Sequence, residues 1–205
     1  GGAAWANQGL YALGASMGAP PDDFNLHGQD WGLPPMIPQQ LADAAYAPFI
    51  ATLRANMRHA GALRIDHVMG LMRLFWIPAG GTPETGAYVA YPLDDLFGIV
   101  ALESQRNHCL VIGEDLGTVP DAVRGAMAHY GVLMYRLFYF EKEQEGGFRP
   151  PAAFPAPALV AVSTHDLPTL GGYWHGNDLE ARTQLGLFPS EPMREQQIAT
   201  SARDR

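Results

Sequence analysis

The stretch Cys109-Leu110-Val111-Ile112-Gly113-Glu114-Asp115 is a short apolar, β-branched run that stops abruptly on two carboxylates. A run this short and this apolar fits a strand covered on both faces, as strands of a parallel sheet are. Working outward, Ala62-Leu63-Arg64-Ile65-Asp66-His67 has the same form upstream, and residues 132–141 (VLMYRLFYFE) and 159–166 (LVAVSTHD) repeat it downstream. Each is expected to be a buried strand, with a fifth near residues 72–77. Between them lie helical periods. Residues 39–59 carry Leu41, Ala45, Phe49, Leu53 and Met57 at intervals of four, and residues 93–106 and 121–129 look similar but shorter. Strands alternating with helices predict parallel βα units. Pro120 followed by Asp121 suits a helix start, where a missing N–H and a negative charge are both tolerated. Residues 150–158 (PPAAFPAPA) are too rich in proline for a helix or a central strand and are expected to form a surface loop.

Composition narrows the function. The chain has 205 residues and a net charge of −8, with 13 Lys+Arg against 21 Asp+Glu and no Lys/Arg run. Binding to nucleic acid needs a clustered basic surface that neutralises phosphates, so no nucleic-acid partner is expected. No stretch approaches the ~18 apolar residues of a membrane span, and no positively charged leader precedes an apolar segment, so no membrane association is expected. The lone Cys109 has no disulfide partner within the chain, which suits a reducing, cytoplasmic setting. Gly and Pro together make 40 residues, which favours many short elements joined by shaped loops over a helix bundle. No composition shift marks a second domain, so residues 1–205 are read as one domain.

In an α/β barrel the chemistry gathers where strands end. Here the strand-like runs end in Asp66, in Glu114 and in the pair His165-Asp166, and Arg64 shares a strand face with Asp66. Three acids and an arginine can supply glycosidic-bond chemistry: one ionised carboxylate attacks the anomeric carbon and a protonated one donates to the departing oxygen. Any single acid at a strand end is more often a cap or a surface residue; the repetition over three strands is what carries weight. Other patterns carry less. Gly14-Ala15-Ser16-Met17-Gly18 fits the serine-hydrolase elbow, but Pro20-Pro21 spoils the helix that the elbow requires. None of the seven histidines forms H-x-x-x-H, so no metal is expected. His67 and His108 are expected to be structural, Phe138-Tyr139-Phe140 to be core, and Cys109 to be a small buried hydrophobe.

The segments GQDWGLPP (residues 28–35), LRIDHVMGLMRLFWIP (63–78), GAYVAYP (86–92), VIGEDLGTVP (111–120) and STHDLPTLGGYW (163–174) occur in this order. Together they closely resemble bacterial 4-α-glucanotransferase, also called amylomaltase or disproportionating enzyme, on the α-amylase-like barrel. The resemblance implies an α/β fold that is part of a TIM (β/α)8 barrel, about its strands 4 to 7. It implies that Asp66 is the nucleophile forming a covalent glucosyl-enzyme, that Glu114 is the general acid and then the base, and that Asp166 grips sugar hydroxyls and favours the distorted ring. Arg64 would pair with the nucleophile and His165 would bind sugar hydroxyls. Gln29 and Trp31 match glucan-contacting positions, and Phe24 is a candidate aromatic platform. The implied reaction moves a segment of a 1,4-α-glucan to the 4-hydroxyl of an acceptor glucose or maltodextrin, with retention and without a cofactor. Direct attack implies carboxyls about 5–5.5 Å apart. The alternatives are an α-glucan hydrolase of the same barrel class and a catalytically silent glucan-binding fragment. A closed barrel takes about 250 residues, so 205 residues holding strands 4 to 7 are expected to be part of a longer enzyme.

Overall fold

The structure, a computed structural model, describes residues 2–22, 25, 27–143, 147–165, 167–188 and 190–204. They divide into two compact units, residues 1–134 and 135–205. In the first unit the order is α1 (Gly2–Ala6), β1 (Ala15–Ala19), β2 (Gln29–Asp30), α2 (Pro38–Asp43), α3 (Ala47–Met57), β3 (Ala62–Ile65), β4 (Arg73–Pro78), β5 (Ala87–Ala90), α4 (Leu93–Asn107), β6 (Leu110–Gly113) and α5 (Asp121–Tyr130). Strands β3 and β6 pair in parallel, from Ala62 opposite Leu110 to Ile65 opposite Gly113, and Leu133 makes a further parallel bridge to Ile112. The chain passes from β3 to β6 through α4 and leaves β6 through α5, so the expected α/β alternation is present.

The second sheet of this unit is antiparallel, in the order β2-β1-β4-β5. The expected strand near residues 72–77 exists as β4, but it pairs antiparallel with β1 and β5 and is no member of the parallel set. Its Phe75 and Ile77 are buried on one face while Leu74 and Trp76 pack against the main core on the other. A strand covered on both faces has one sequence signature whichever way its neighbours run. Ser16 lies inside β1, which continues to Ala19 with no helix after it, so the G-x-S-x-G segment is no nucleophile elbow.

The expected single helix over residues 39–59 is two helices, broken where Ala45 (φ 48°) and Tyr46 (φ 58°) turn left-handed. The cause is Pro48. Inside a continuous helix it would remove a hydrogen bond and clash with the carbonyl four residues back. Restarting the helix at Ala47 puts Pro48 in the first turn, where no N–H is needed.

The core of this unit packs the apolar stripes of three helices against β6. Met57 of α3, Phe97 and Val100 of α4, Val123 and Met127 of α5, and Val68 are each at most 1% exposed. The stripe on α4 runs Leu96, Phe97, Val100 and then Glu103, so helical spacing drives a carboxylate into the interior. Glu103 is rescued by a bidentate pair with Arg54 of α3, at 2.7 and 2.8 Å, and by Arg106 at 2.9 Å. The Arg54 hydrogen bonds, with Arg106 in support and against the opposing effect of burial, hold its pKa down at about 2. A folded-state pKa below the unfolded one adds stability above the ordinary carboxylate range, and that stability is lost as pH falls toward 2. Arg54→Ala leaves the buried carboxylate with Arg106 alone and is expected to cost about 3 kcal/mol at neutral pH. The check is the urea midpoint of variant and parent, whose difference is expected to shrink as pH falls through that window.

The β3 run is not buried throughout: Leu63 and Ile65 lean on the core while Ala62 and Arg64 face solvent. Two expectations from this unit hold. Cys109 is 1% exposed, with burial pushing its thiol pKa up, and α4 and α5 stand where the periodicity placed them.

In the second unit, β7 (Met134–Leu137) and β8 (Ala158–Ala161) form a two-stranded sheet, followed by α6 (Leu170–His175), α7 (Asn177–Gln184) and α8 (Glu191–Asp204). The expected strand over residues 132–141 is cut at Leu137. Phe138–Phe140 winds into a 3-10 turn that buries Tyr139 and exposes Phe140, so the aromatic run is only partly core. Strand β8 stops at Ala161, and its Leu159 and Val160 are exposed rather than buried. Among the described residues β8 has one sheet neighbour, which leaves it without the cover of an interior strand. Residues 150–158 form the expected proline-rich loop, with one 3-10 turn at Pro151–Ala153. No helix among the described residues is long and apolar enough to cross a membrane.

Candidate active site

The register of β3 and β6 decides the site. Their last paired residues are Ile65 and Gly113, so Asp66 and Glu114 each stand one residue beyond, on adjacent parallel strands at the same sheet end. Gly113 is glycine for a packing reason: a Cβ there would lie 2.8 Å from Val68 and 3.0 Å from Met127. The two strand ends are stitched together beyond the ladder. The Glu114 N–H donates to the Ile65 carbonyl at 2.8 Å, and the Val68 N–H donates to the Glu114 carbonyl at 3.0 Å.

The side chain of Glu114 is held on both oxygens. The His67 N–H donates to Oε2 and the Leu116 N–H to Oε1, each at 2.8 Å. Asp66 is far more open, with its side chain 77% exposed, and Arg64 reaches it at 2.6 Å. Strand alternation puts Arg64 and Asp66 on one face. The expected Arg64–Asp66 pair is therefore present, and Asp66 is free to meet a molecule arriving from solvent.

The segment from Gly28 to Gly32 brings two more expected residues to the same end. Gly28 has a φ of 65° and its absent Cβ would sit 2.6 Å from the Ala19 carbonyl oxygen, so only glycine fits. Asp30 pins the turn: it accepts from the Ser16 hydroxyl and from the Gly32 N–H, and these bonds, the Ser16 one foremost, lower its pKa. The Trp31 N–H is fixed to the Met17 carbonyl at 2.9 Å, and its indole N–H donates to the Gln29 side chain at 3.1 Å. The indole meets the His67 ring edge to face, centroids 5.1 Å apart. Gln29 and Trp31 are thus joined to Glu114 through His67, which directly follows the Arg64–Asp66 pair in the chain.

His67 is the residue whose part the sequence misses. A structural role is what its type and place suggest, and the fold gives that role its partners, Glu114 through the backbone and Trp31 through the ring. Position next to Asp66 is its only sequence signal. Asp115 is 1% exposed and lies 3.5 Å from Arg124 of α5. Strand alternation turns it away from the face of Glu114.

Three expected residues remain. His165 belongs to the second unit and lies in a turn four residues past the end of β8, exposed, instead of ending the strand. The turn is closed by the Ser163 hydroxyl donating to the Pro168 carbonyl at 2.8 Å. Asp166 and Phe24 lie outside the described residues. Among the described residues, no group of three His, Cys, Asp or Glu side chains could hold a metal ion.

Comparison with known proteins bears on this arrangement. The chain is 48% identical over 191 residues to a 4-alpha-glucanotransferase of Haemophilus influenzae, covering 93% of this chain and 27% of that protein. It is 47% identical over 192 residues to a 4-alpha-glucanotransferase of Mycobacterium tuberculosis, covering 90% of this chain and 26% of the relative. The chain therefore spans about a quarter of the length of these curated relatives. Among solved structures, the crystal structure of amylomaltase from Corynebacterium glutamicum superposes with a TM-score of 0.89 at 39% identity, covering 98% of this chain and 29% of that one. Amylomaltase from Streptococcus agalactiae, solved in complex with acarbose, shares the fold at a TM-score of 0.73 and 22% identity, covering 92% of this chain and 40% of that one. The family model described as 4-alpha-glucanotransferase, of glycoside hydrolase family 77, matches residues 1–203, and this chain belongs to that family.

Proposed function

We propose that this chain is the core segment of an enzyme that transfers part of a 1,4-α-D-glucan to the 4-hydroxyl of an acceptor glucose or maltodextrin. The observation that carries the proposal is the placing of Asp66 and Glu114 one residue beyond the paired ends of β3 and β6, the first open and paired with Arg64, the second held by two N–H groups. Residues 1–205 are taken as a stretch of one catalytic domain, about strands 4 to 7 of a TIM barrel. β3 and β6 would be the strands that end in the nucleophile and the acid.

In the first step the ionised Asp66 attacks the anomeric carbon and forms a covalent glucosyl ester. The bond to the departing 4-oxygen breaks as Glu114 gives that oxygen its proton. In the second step Glu114, now a carboxylate, takes the proton of an acceptor 4-hydroxyl. The acceptor oxygen attacks the anomeric carbon and frees Asp66. Two inversions retain the α configuration. Arg64, paired with Asp66 at 2.6 Å, orients the nucleophile. Asp166 would hold hydroxyls of the distorted ring, with His165 beside it. Trp31, Gln29 and Phe24 would receive the glucan, the rings stacking on the apolar faces of glucose. The chemistry needs no cofactor or metal, because two carboxylates supply it. The proposed partner is maltodextrin or another α-1,4-glucan, with no role for nucleic acid or a membrane. The single, buried Cys109 fits a cytoplasmic setting.

Incubation of the full-length enzyme with maltotriose tests the proposal. Glucose together with maltodextrins longer than the substrate is the expected result. A rise in reducing ends without elongation would assign a hydrolase, and no turnover of any α-glucan would assign a silent binding protein.

A further inference from the structure

The turn joining β3 to Val68 contains a conformation that its residue disfavours. His67 has φ 47° and ψ 58°, in the left-handed region. For a residue with a Cβ this costs of order 1–2 kcal/mol and persists only where the surroundings impose it. Two contacts impose it here. The half-buried residue sets its ring edge to face with Trp31, which is itself tied to Gln29 and to the Met17 carbonyl. The backbone sends two successive N–H groups to one residue, that of His67 to the Glu114 carboxylate and that of Val68 to the Glu114 carbonyl. At negative φ the chain would leave residue 67 in another direction and the two N–H groups could not both face Glu114. Burial lowers the pKa of the imidazole despite the opposing pull of Glu114 and Asp66.

We propose that His67 is a positioning residue: by holding the left-handed turn against Trp31 it aims its own N–H at Glu114 and sets the direction in which Glu114 delivers its proton. The proposal rests on Glu114 being the acid of the reaction above. It also makes Trp31 a brace for the acid, in addition to any contact with glucan.

The test compares two donors in the full-length enzyme. Maltotriose needs a proton on its leaving oxygen; α-maltosyl fluoride does not, because fluoride departs unaided. His67→Val, whose β-branch resists positive φ, is expected to lower kcat/KM for maltotriose by about 30-fold or more while fluoride release falls less than about 3-fold. His67→Asn, which tolerates the left-handed region, is expected to stay within about 5-fold of the parent on maltotriose. Equal losses on both donors, or a loss in His67→Asn as large as in His67→Val, would overturn the proposal. If His67→Val does not fold, His67→Ala decides: its Cβ disfavours the left-handed turn without a bulky β-branch, and an unchanged ratio of the two donor rates would count against His67. A parent enzyme that uses neither donor would refute the assigned reaction and leave this turn out of the matter.

Discussion

Asp66→Asn in the full-length enzyme is expected to lower glucan transfer by about a million-fold, the scale seen when a nucleophile that works as part of a unit is removed. An amide of the same shape carries no charge to attack the anomeric carbon and forms no ester that an acceptor could resolve. The fold is expected to survive, because the Asp66 side chain is 77% exposed. Its Arg64 partner is one-third exposed and can be solvated once the charge is gone. The loss is also expected with α-maltosyl fluoride, since the missing step is attack and not protonation. Rates of glucose and fluoride release, measured beside a urea unfolding curve, check this. A variant of normal stability that keeps the parent rate would remove Asp66 from the mechanism.

Glu114→Gln is expected to separate the two steps that Asp66→Asn abolishes together. With maltotriose the rate should fall by about 100- to 10,000-fold, the usual worth of a positioned general acid. With α-maltosyl fluoride the first step should be nearly unaffected, and the covalent intermediate should accumulate because no base activates the acceptor. A small cost in stability is expected as well. Glu114 now accepts an N–H on each carboxylate oxygen, from His67 and Leu116. Glutamine has one acceptor oxygen, so one N–H would face an amide NH2, at about 1–3 kcal/mol. Mass spectrometry of the trapped intermediate and the urea midpoint check the two halves of this prediction. Equal loss with both donors would mean that Glu114 is not the acid.

Several elements of the fold can be read in the sequence because their causes are local. Helix α4 follows from the spacing of Leu96, Phe97 and Val100, and β6 follows from an unbroken apolar run between a helix end and two acids. The break at Ala45 and Tyr46 was legible in principle, since Pro48 cannot sit in mid-helix, but the regular interval from Leu41 to Met57 masks it. The antiparallel sheet was not legible. The pairing of β1 with β4 joins residues about sixty apart in sequence, and nothing in either segment states its partner. The exposure of β3 and β8 was likewise hidden, because a run of apolar residues reports what a strand can bury and not what lies against it.

The catalytic candidates divide in the same way. The types and order of the residues, Arg64 two places before Asp66 and Glu114 at the end of an apolar strand, are written in the sequence, because strand periodicity alone puts Arg64 and Asp66 on one face and chemistry limits which side chains can do the work. Only the tertiary structure decided that Asp66 and Glu114 stand level on neighbouring strands, since register between segments about fifty residues apart is set by hydrogen bonds that neither segment encodes alone. It also decided that His67 clasps Glu114, because a backbone N–H carries no signature in a side-chain code and takes its direction only from the fold around it.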